Sequence, residues 1–241
     1  MRFPDSPRTL ASAFRFLALL GLGFAGFTWA GGAAREPAAL FNGQNLEGWE
    51  VHLQGSAGPV AEQRVYQVRD GAIHVYRDAE ADTEQPFAML VTKEEYSDYR
   101  LSLEYRWGNK KFAPRAAAGV PMDAGLCYHV RGPIEIWPVS VECQIQFGDT
   151  GDVWAIKTQV TSTEHPDTRG FWDPQQGGVE VTRGDKLPLS YNRFVRRACM
   201  EQEGWNRVDV IVRGDEAEHF VNGQLVNRAM KMKYWDAAAG A

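Results

Sequence analysis

Residues 125–156 read GLCYHVRGPIEIWPVSVECQIQFGDTGDVWAI and set a pattern that recurs along the chain. Val141, Cys143, Ile145 and Phe147 alternate with Glu142, Gln144 and Gln146, the period-two signature of a strand with one apolar and one polar face. A carboxylate followed by two carboxamides is an unusual polar face, because these groups hydrogen-bond in the directions a sugar ring presents its hydroxyls. Before it, a strand is expected at Gly125–Val130 with a turn at Gly132-Pro133. After it, Gly148–Asp152 should fold the chain back into Val153–Ile156 as a hairpin.

The same alternation appears on both sides. Tyr99, Leu101, Leu103, Tyr105 and Trp107 alternate with Arg100, Ser102, Glu104 and Arg106, and Val208, Val210 and Val212 define another strand. Val65–Val68, Asp70-Gly71 and Ala72–Tyr76 read as a hairpin. So do His219–Val221, Asn222-Gly223 and Gln224–Val226, where Asn-Gly supplies the positive-φ positions of a type I′ turn. Leu40-Phe41 ends a strand at the Asn42-Gly43 turn. Segments 77–88, 108–124 and 157–178 carry no period and are expected as loops, the second of them long enough for function. Short strands with turns between them and almost no helical periodicity predict an all-β antiparallel sandwich or barrel, and a jelly roll is the choice made here.

Arg2 and Arg8 precede an apolar run from Phe14 to Trp29, and small residues at 30–34 suit cleavage, so residues 1–34 are expected to be a signal peptide for a secreted or periplasmic bacterial protein. An uncleaved membrane anchor is the competing expectation for this segment. Residues 35–241 suit one domain with a sizeable core. Removing Arg2, Arg8, Arg15 and Asp5 takes the net charge from -5 to -7, and so mild an acidity argues against nucleic acid, which calls for a basic face. Eight Trp and eight Tyr favour a large aromatic core or stacking platforms for sugars. Cys127, Cys143 and Cys199 are an odd count and are expected as buried free thiols.

No nucleophile elbow, P-loop, dinucleotide fingerprint, zinc-protease or paired C-x-x-C motif occurs in the chain. The tripeptides Arg183-Gly184-Asp185 and Arg213-Gly214-Asp215 read as turns rather than adhesive motifs.

The segments LFNGQNLEGWE (40–50), DYRLSLEYRWGNKKFAPR (98–115), DAGLCYHV (123–130), WPVSVECQIQFGDTGDVW (137–154) and GWNRVDVIVRGDEAEHFVNGQL (204–225) together resemble successive motifs of the 3-keto-disaccharide hydrolase domain family. The resemblance implies a concanavalin A-like jelly roll, bacterial export, and action on glycosides oxidised at carbon 3 of one sugar. The chain departs from the family pattern in three ways: Ala124 stands where Ser is frequent, His129 where many members carry Arg, and the sequence stops soon after the Asn222-Gly223 hairpin. The domain over 35–241 is therefore expected to lack a closing strand and to expose an edge.

Strand parity proposes a site. If Glu142, Gln144 and Gln146 line one face and His129 reaches it from the neighbouring strand, Leu126, Tyr128, Val141, Cys143 and Ile145 turn inward. Glu104 and Arg106 fall on the polar face of their own strand, and a cleft of Glu104, Arg106, His129, Glu142 and Gln144 follows. A Cys127–Cys143 disulfide contradicts this parity unless a bulge intervenes. Trp137, Trp154 and Trp172 stand in or near loops as stacking residues, whereas Trp49, Trp107, Trp205 and Tyr105 fit a core.

A ketone at carbon 3 acidifies the hydrogen on carbon 2, so a base, an acid and an oxyanion stabiliser suffice for cleavage. His129 and Glu142 divide the first two roles in either order. Arg106 or Gln144 takes the third, or a divalent metal does so with His129 and Glu142 among its ligands. Ordinary two-carboxylate glycoside hydrolysis is disfavoured, since Glu142-Cys143-Gln144 interrupts the E-x-D-x-x-E pattern of glucanases of this fold. Structural readings compete: Glu104 and Arg106 also fit a plain ion pair on a wet sheet, His129 a hydrogen-bonded structural histidine, and Asp149 and Asp152 a turn. Two other classes stand beside the enzyme, a non-catalytic carbohydrate-binding module and a structural envelope protein.

Overall fold

Alternating side chains dictate the architecture. The computed structural model describes residues 13–15, 37–55, 64–184 and 190–235. Its strands are β1 (Ala13–Arg15), β2 (Trp49–Leu53), β3 (Tyr66–Arg69), β4 (Ala72–Val75), β5 (Ala88–Thr92), β6 (Tyr99–Arg106), β7 (Asp123–Arg131), β8 (Val139–Gln146), β9 (Val153–Ile156), β10 (Thr158–Glu164), β11 (Val179–Arg183), β12 (Tyr191–Phe194), β13 (Asn206–Arg213), β14 (Glu216–Val221) and β15 (Gln224–Tyr234). One sheet has the order β11-β10-β15-β14-β13-β6-β1-β4-β3, a second β12-β9-β8-β7, and β2 pairs with β5 alone.

The two larger sheets face each other across one core. Leu103 and Tyr105 of β6 and Val208, Val210 and Val212 of β13 meet Leu126 and Tyr128 of β7, Val141, Cys143 and Ile145 of β8, and Val153 of β9. Each is buried, and burying a branched side chain contributes roughly 1.5–3 kcal/mol. The fold is the all-β antiparallel jelly-roll sandwich that the sequence predicts. Lys157, at φ 54°, sits where the chain leaves β9 in one sheet and enters β10 in the other.

Several expectations are corrected. Residues 158–164, expected within a loop, form β10, because Val160 alternates into the core beneath a row of buried Thr and Ser. The type I′ turn expected at Asn222-Gly223 has positive φ at both central residues, and so does the Asp70-Gly71 hairpin. β15 is paired on both sides, to β14 and β10. The expected leader over 1–34 lies outside the described residues except for the backbone of Ala13–Arg15, which pairs with β4 and β6. No described helix is long and apolar enough to cross a membrane. All three cysteines are free, Cys143 buried, Cys127 half-buried and Cys199 exposed rather than buried.

Candidate active site

Burial of Val141, Cys143 and Ile145 turns Glu142, Gln144 and Gln146 to the outer face of the four-stranded sheet. Register then selects their neighbours. Glu142 lies opposite Cys127 on β7 and Trp154 on β9, Gln144 opposite Gly125, and Gln146 opposite Asp123. Arg193 of β12 lies opposite Trp154 and places its guanidinium 5.9 Å from the indole centroid. A carboxyl, carboxamides, an aromatic ring and arginines thus share one surface.

Glu142 is central to it. A Cβ built on Gly125 would lie 1.5 Å from Glu142 Oε1, so the carboxyl rests against the bare backbone of β7. The Glu142 carboxyl is in none of the hydrogen bonds or ion pairs formed among the described residues. Burial, and secondarily the neighbouring Asp123, push its pKa up to about 8 against the opposing pull of Arg115. A carboxyl with that midpoint is able to give or take a proton near neutral pH.

An ion-paired frame surrounds it. Asp123 accepts from Arg115 Nη2 at 2.6 Å and from Gln144 Nε2 at 2.7 Å. Gln146 Nε2 donates to Asp149 at 2.7 Å, while its carbonyl accepts from Arg115 at 3.3 Å. Asp152, with no exposed side-chain surface, accepts from Arg193 Nε at 2.6 Å and from the Arg196 backbone N–H at 2.8 Å. The β8–β9 turn is fastened from behind: Glu201 accepts from the Gly148 N–H at 2.6 Å, from Tyr105 Oη at 2.7 Å and from Trp107 Nε1 at 2.9 Å. The polar frame is therefore held before any ligand arrives.

The structure brings together Glu142, Gln144 and Trp154 but not the other expected residues. His129 is turned away by a β-bulge between Tyr128 and Arg131. At φ 52° its ring donates to the Gly214 carbonyl at 2.9 Å, at the β13–β14 turn. Glu104 and Arg106 are on the outer face of the other sheet, with the core between them and Glu142. Glu104 lies opposite Arg207 there, and Arg106 stacks 5.0 Å from the Trp205 centroid. Trp137 packs on Phe87 at the turn between β7 and β8, and Trp172 packs on His165 beside β10. The expected metal pair fails with His129, since its ring and Glu142 do not converge, and no group of three ligating side chains is gathered among the described residues.

Sequence reasoning missed Arg115, Asp123, Gly125 and Arg193. Gly125 carried a usable signal, because a glycine inside a strand marks the close approach of another group. Asp123 shares its parity two residues earlier. Arg115 comes from an aperiodic loop and had no signal beyond that loop's length.

No curated protein matches the chain. Among solved structures, one described as a "putative glycosyl hydrolase from Parabacteroides distasonis" is similar at a TM-score of 0.43 and 18% identity, over 79% of this chain and 71% of that one. Residues 36–239 match the 3-keto-alpha-glucoside-1,2-lyase-like domain family, and the chain belongs to that family.

Proposed function

We propose that the protein cleaves the glycosidic bond of 3-keto-glycosides on the outer face of the four-stranded sheet, with Glu142 carrying the proton. The carboxylate form of Glu142 takes the hydrogen on carbon 2, which the adjacent ketone acidifies, and the pair of electrons left behind forms an enolate. The enolate reforms the ketone, a double bond forms between carbons 1 and 2, and the glycosidic oxygen leaves with the proton that Glu142 returns. Water then adds across that double bond, its hydroxyl to carbon 1 and a proton to carbon 2. One carboxyl titrating near neutrality serves both as base and as acid, which removes the need for His129. Arg115 is the cation whose charge acts on Glu142 and suits the enolate oxygen, while Trp154 offers the sugar ring an apolar surface.

The observation that carries this assignment is the Glu142 carboxyl itself, resting against Gly125, raised to about 8 and in no hydrogen bond or ion pair among the described residues. Purified protein is tested on a panel of 3-keto-disaccharides for release of free sugar, alongside Glu142→Gln. Turnover that falls by about 10²-fold or more in the variant is expected. No turnover from folded wild-type protein sinks the enzyme, and binding of the same sugars would then make it a carbohydrate-binding module.

A further inference from the structure

Two carboxyl side chains converge on Gly125 from opposite ends. Asp123 lies opposite Gln146 and Glu142 opposite Cys127, so their α-carbons are well separated along the ladder. The two carboxyls nevertheless interact through their charges. Glu142 leans over Gly125, into the volume a Cβ would take, while Asp123 bonds Gln144, the residue opposite Gly125. Their surroundings differ: burial raises the pKa of both carboxyls, but Asp123 is held by a guanidinium and a carboxamide that oppose the rise, and Glu142 has neither bond.

We propose that Asp123 and Glu142 work as an unequal carboxyl pair, in which Asp123, the member paired with Arg115 and Gln144, ionises first and holds the proton on Glu142. Like charges at short range in a partly dry site cannot both persist, and the proton settles on the member with no compensating donor. Asp123 is a positioning residue that acts through Glu142, and the loop that delivers Arg115 sets the charge state of the site. The proposal rests on the assignment of Glu142 as the proton carrier.

The groups facing Glu142 are few. β7 contributes Asp123 and Cys127, the latter a thiol that burial keeps neutral, and the loop before β7 contributes Arg115. β9 contributes Trp154, with Arg193 of β12 behind it and Asp149 and Asp152 tied to that arginine. Of these charges, Asp123 and Arg115 are the two that act on Glu142, in opposite directions.

The test follows the Glu142 side-chain carboxyl carbon by NMR in ligand-free full-length protein labelled at glutamate. Asp123→Asn is expected to lower the Glu142 midpoint by about one pH unit or more, and Asp123→Glu to restore it. Arg115→Gln, which strips the counter-charge from both carboxyls and leaves the Asp123 side chain in place, is expected to raise it. An unchanged midpoint in Asp123→Asn overturns the proposal. If that variant does not fold, a midpoint in Arg115→Gln that falls or stays put overturns it. Because the readout needs no substrate, failure here is separable from failure of the function, which would appear as full turnover by Glu142→Gln.

Discussion

The carboxyl of Glu142 fills the space above Gly125 that any other residue would claim with its Cβ, 1.5 Å from Oε1 and 2.5 Å from the carboxyl carbon. The two residues are on adjacent strands and are not directly opposed. The bare backbone of β7 is therefore a built part of the site.

Gly125→Ala should evict that carboxyl while sparing the fold. The clash is with the tip of a flexible side chain, and Gly125 is not among the residues with positive φ, so the backbone accommodates alanine. A misplacement of about 1 Å costs roughly 10²-fold in rate. The expected result is a kcat lower by that order with a melting temperature within a few degrees of wild type. An undiminished kcat would show that Glu142 does not act from this position.

Glu142→Gln should stabilise the protein at high pH and leave it unchanged in acid. The folded midpoint is raised from 4.5 to about 8, so the native state binds more proton than the unfolded chain between those values. Stability from this group is complete below pH 4.5 and is lost as the pH rises through 8. At about 1.4 kcal/mol per unit, the loss is on the order of a few kcal/mol. Thermal unfolding of both proteins from pH 4 to pH 9 should give curves that coincide near pH 4, diverge progressively between pH 4.5 and about 8, and keep a constant gap above that. Parallel curves would mean that Glu142 ionises without cost.

Alternation made much of this legible, and its limits are physical. Glu142 and Gln144 were legible together because β8 keeps strict period two, whereas Trp154, expected in or near a loop, joins them from within β9. His129 was misplaced because parity was carried through a bulge, and no residue type in Tyr128-His129-Val130-Arg131 announces one. Glu104 and Arg106 had the correct parity on β6. Alternation says which side of a strand faces water but not which sheet the strand joins, and β6 joined the other sheet. Arg193 was hidden because β12 is four residues long and follows residues with no strand pattern.

Asp152→Ala should be among the most destabilising single changes on this face. Its buried carboxylate receives Arg193 Nε and both the backbone and the side chain of Arg196, whose own side chain is only 12% exposed. Removing the carboxylate leaves the half-exposed Asp149 to serve both arginines, and breaking a buried pair in this way costs up to about 3–5 kcal/mol. Urea unfolding should show that loss with little dependence on salt, since buried pairs are poorly screened. Weaker sugar binding should accompany it, because Arg193 loses the anchor that holds it over Trp154.

His219 should set the acid limit of the fold. It is fully buried between the sheets, where Nδ1 faces the Gly151 carbonyl at 3.3 Å and Nε2 faces Tyr128 Oη at 2.9 Å. A carbonyl only accepts, so Nδ1 carries the proton and Nε2 accepts from the tyrosine. This neutral tautomer joins β14, β7 and the turn beside the candidate site. Burial pushes the folded pKa down to about 4 from 6.5. The unfolded chain then binds more proton between those values, so stability is present above pH 6.5 and is lost as the pH falls through 4. His219→Gln removes the titration together with some of the fit. It should be less stable than wild type at pH 7, and the gap should narrow as the pH drops to 4. A gap constant with pH would show that protonation of His219 does not drive acid unfolding.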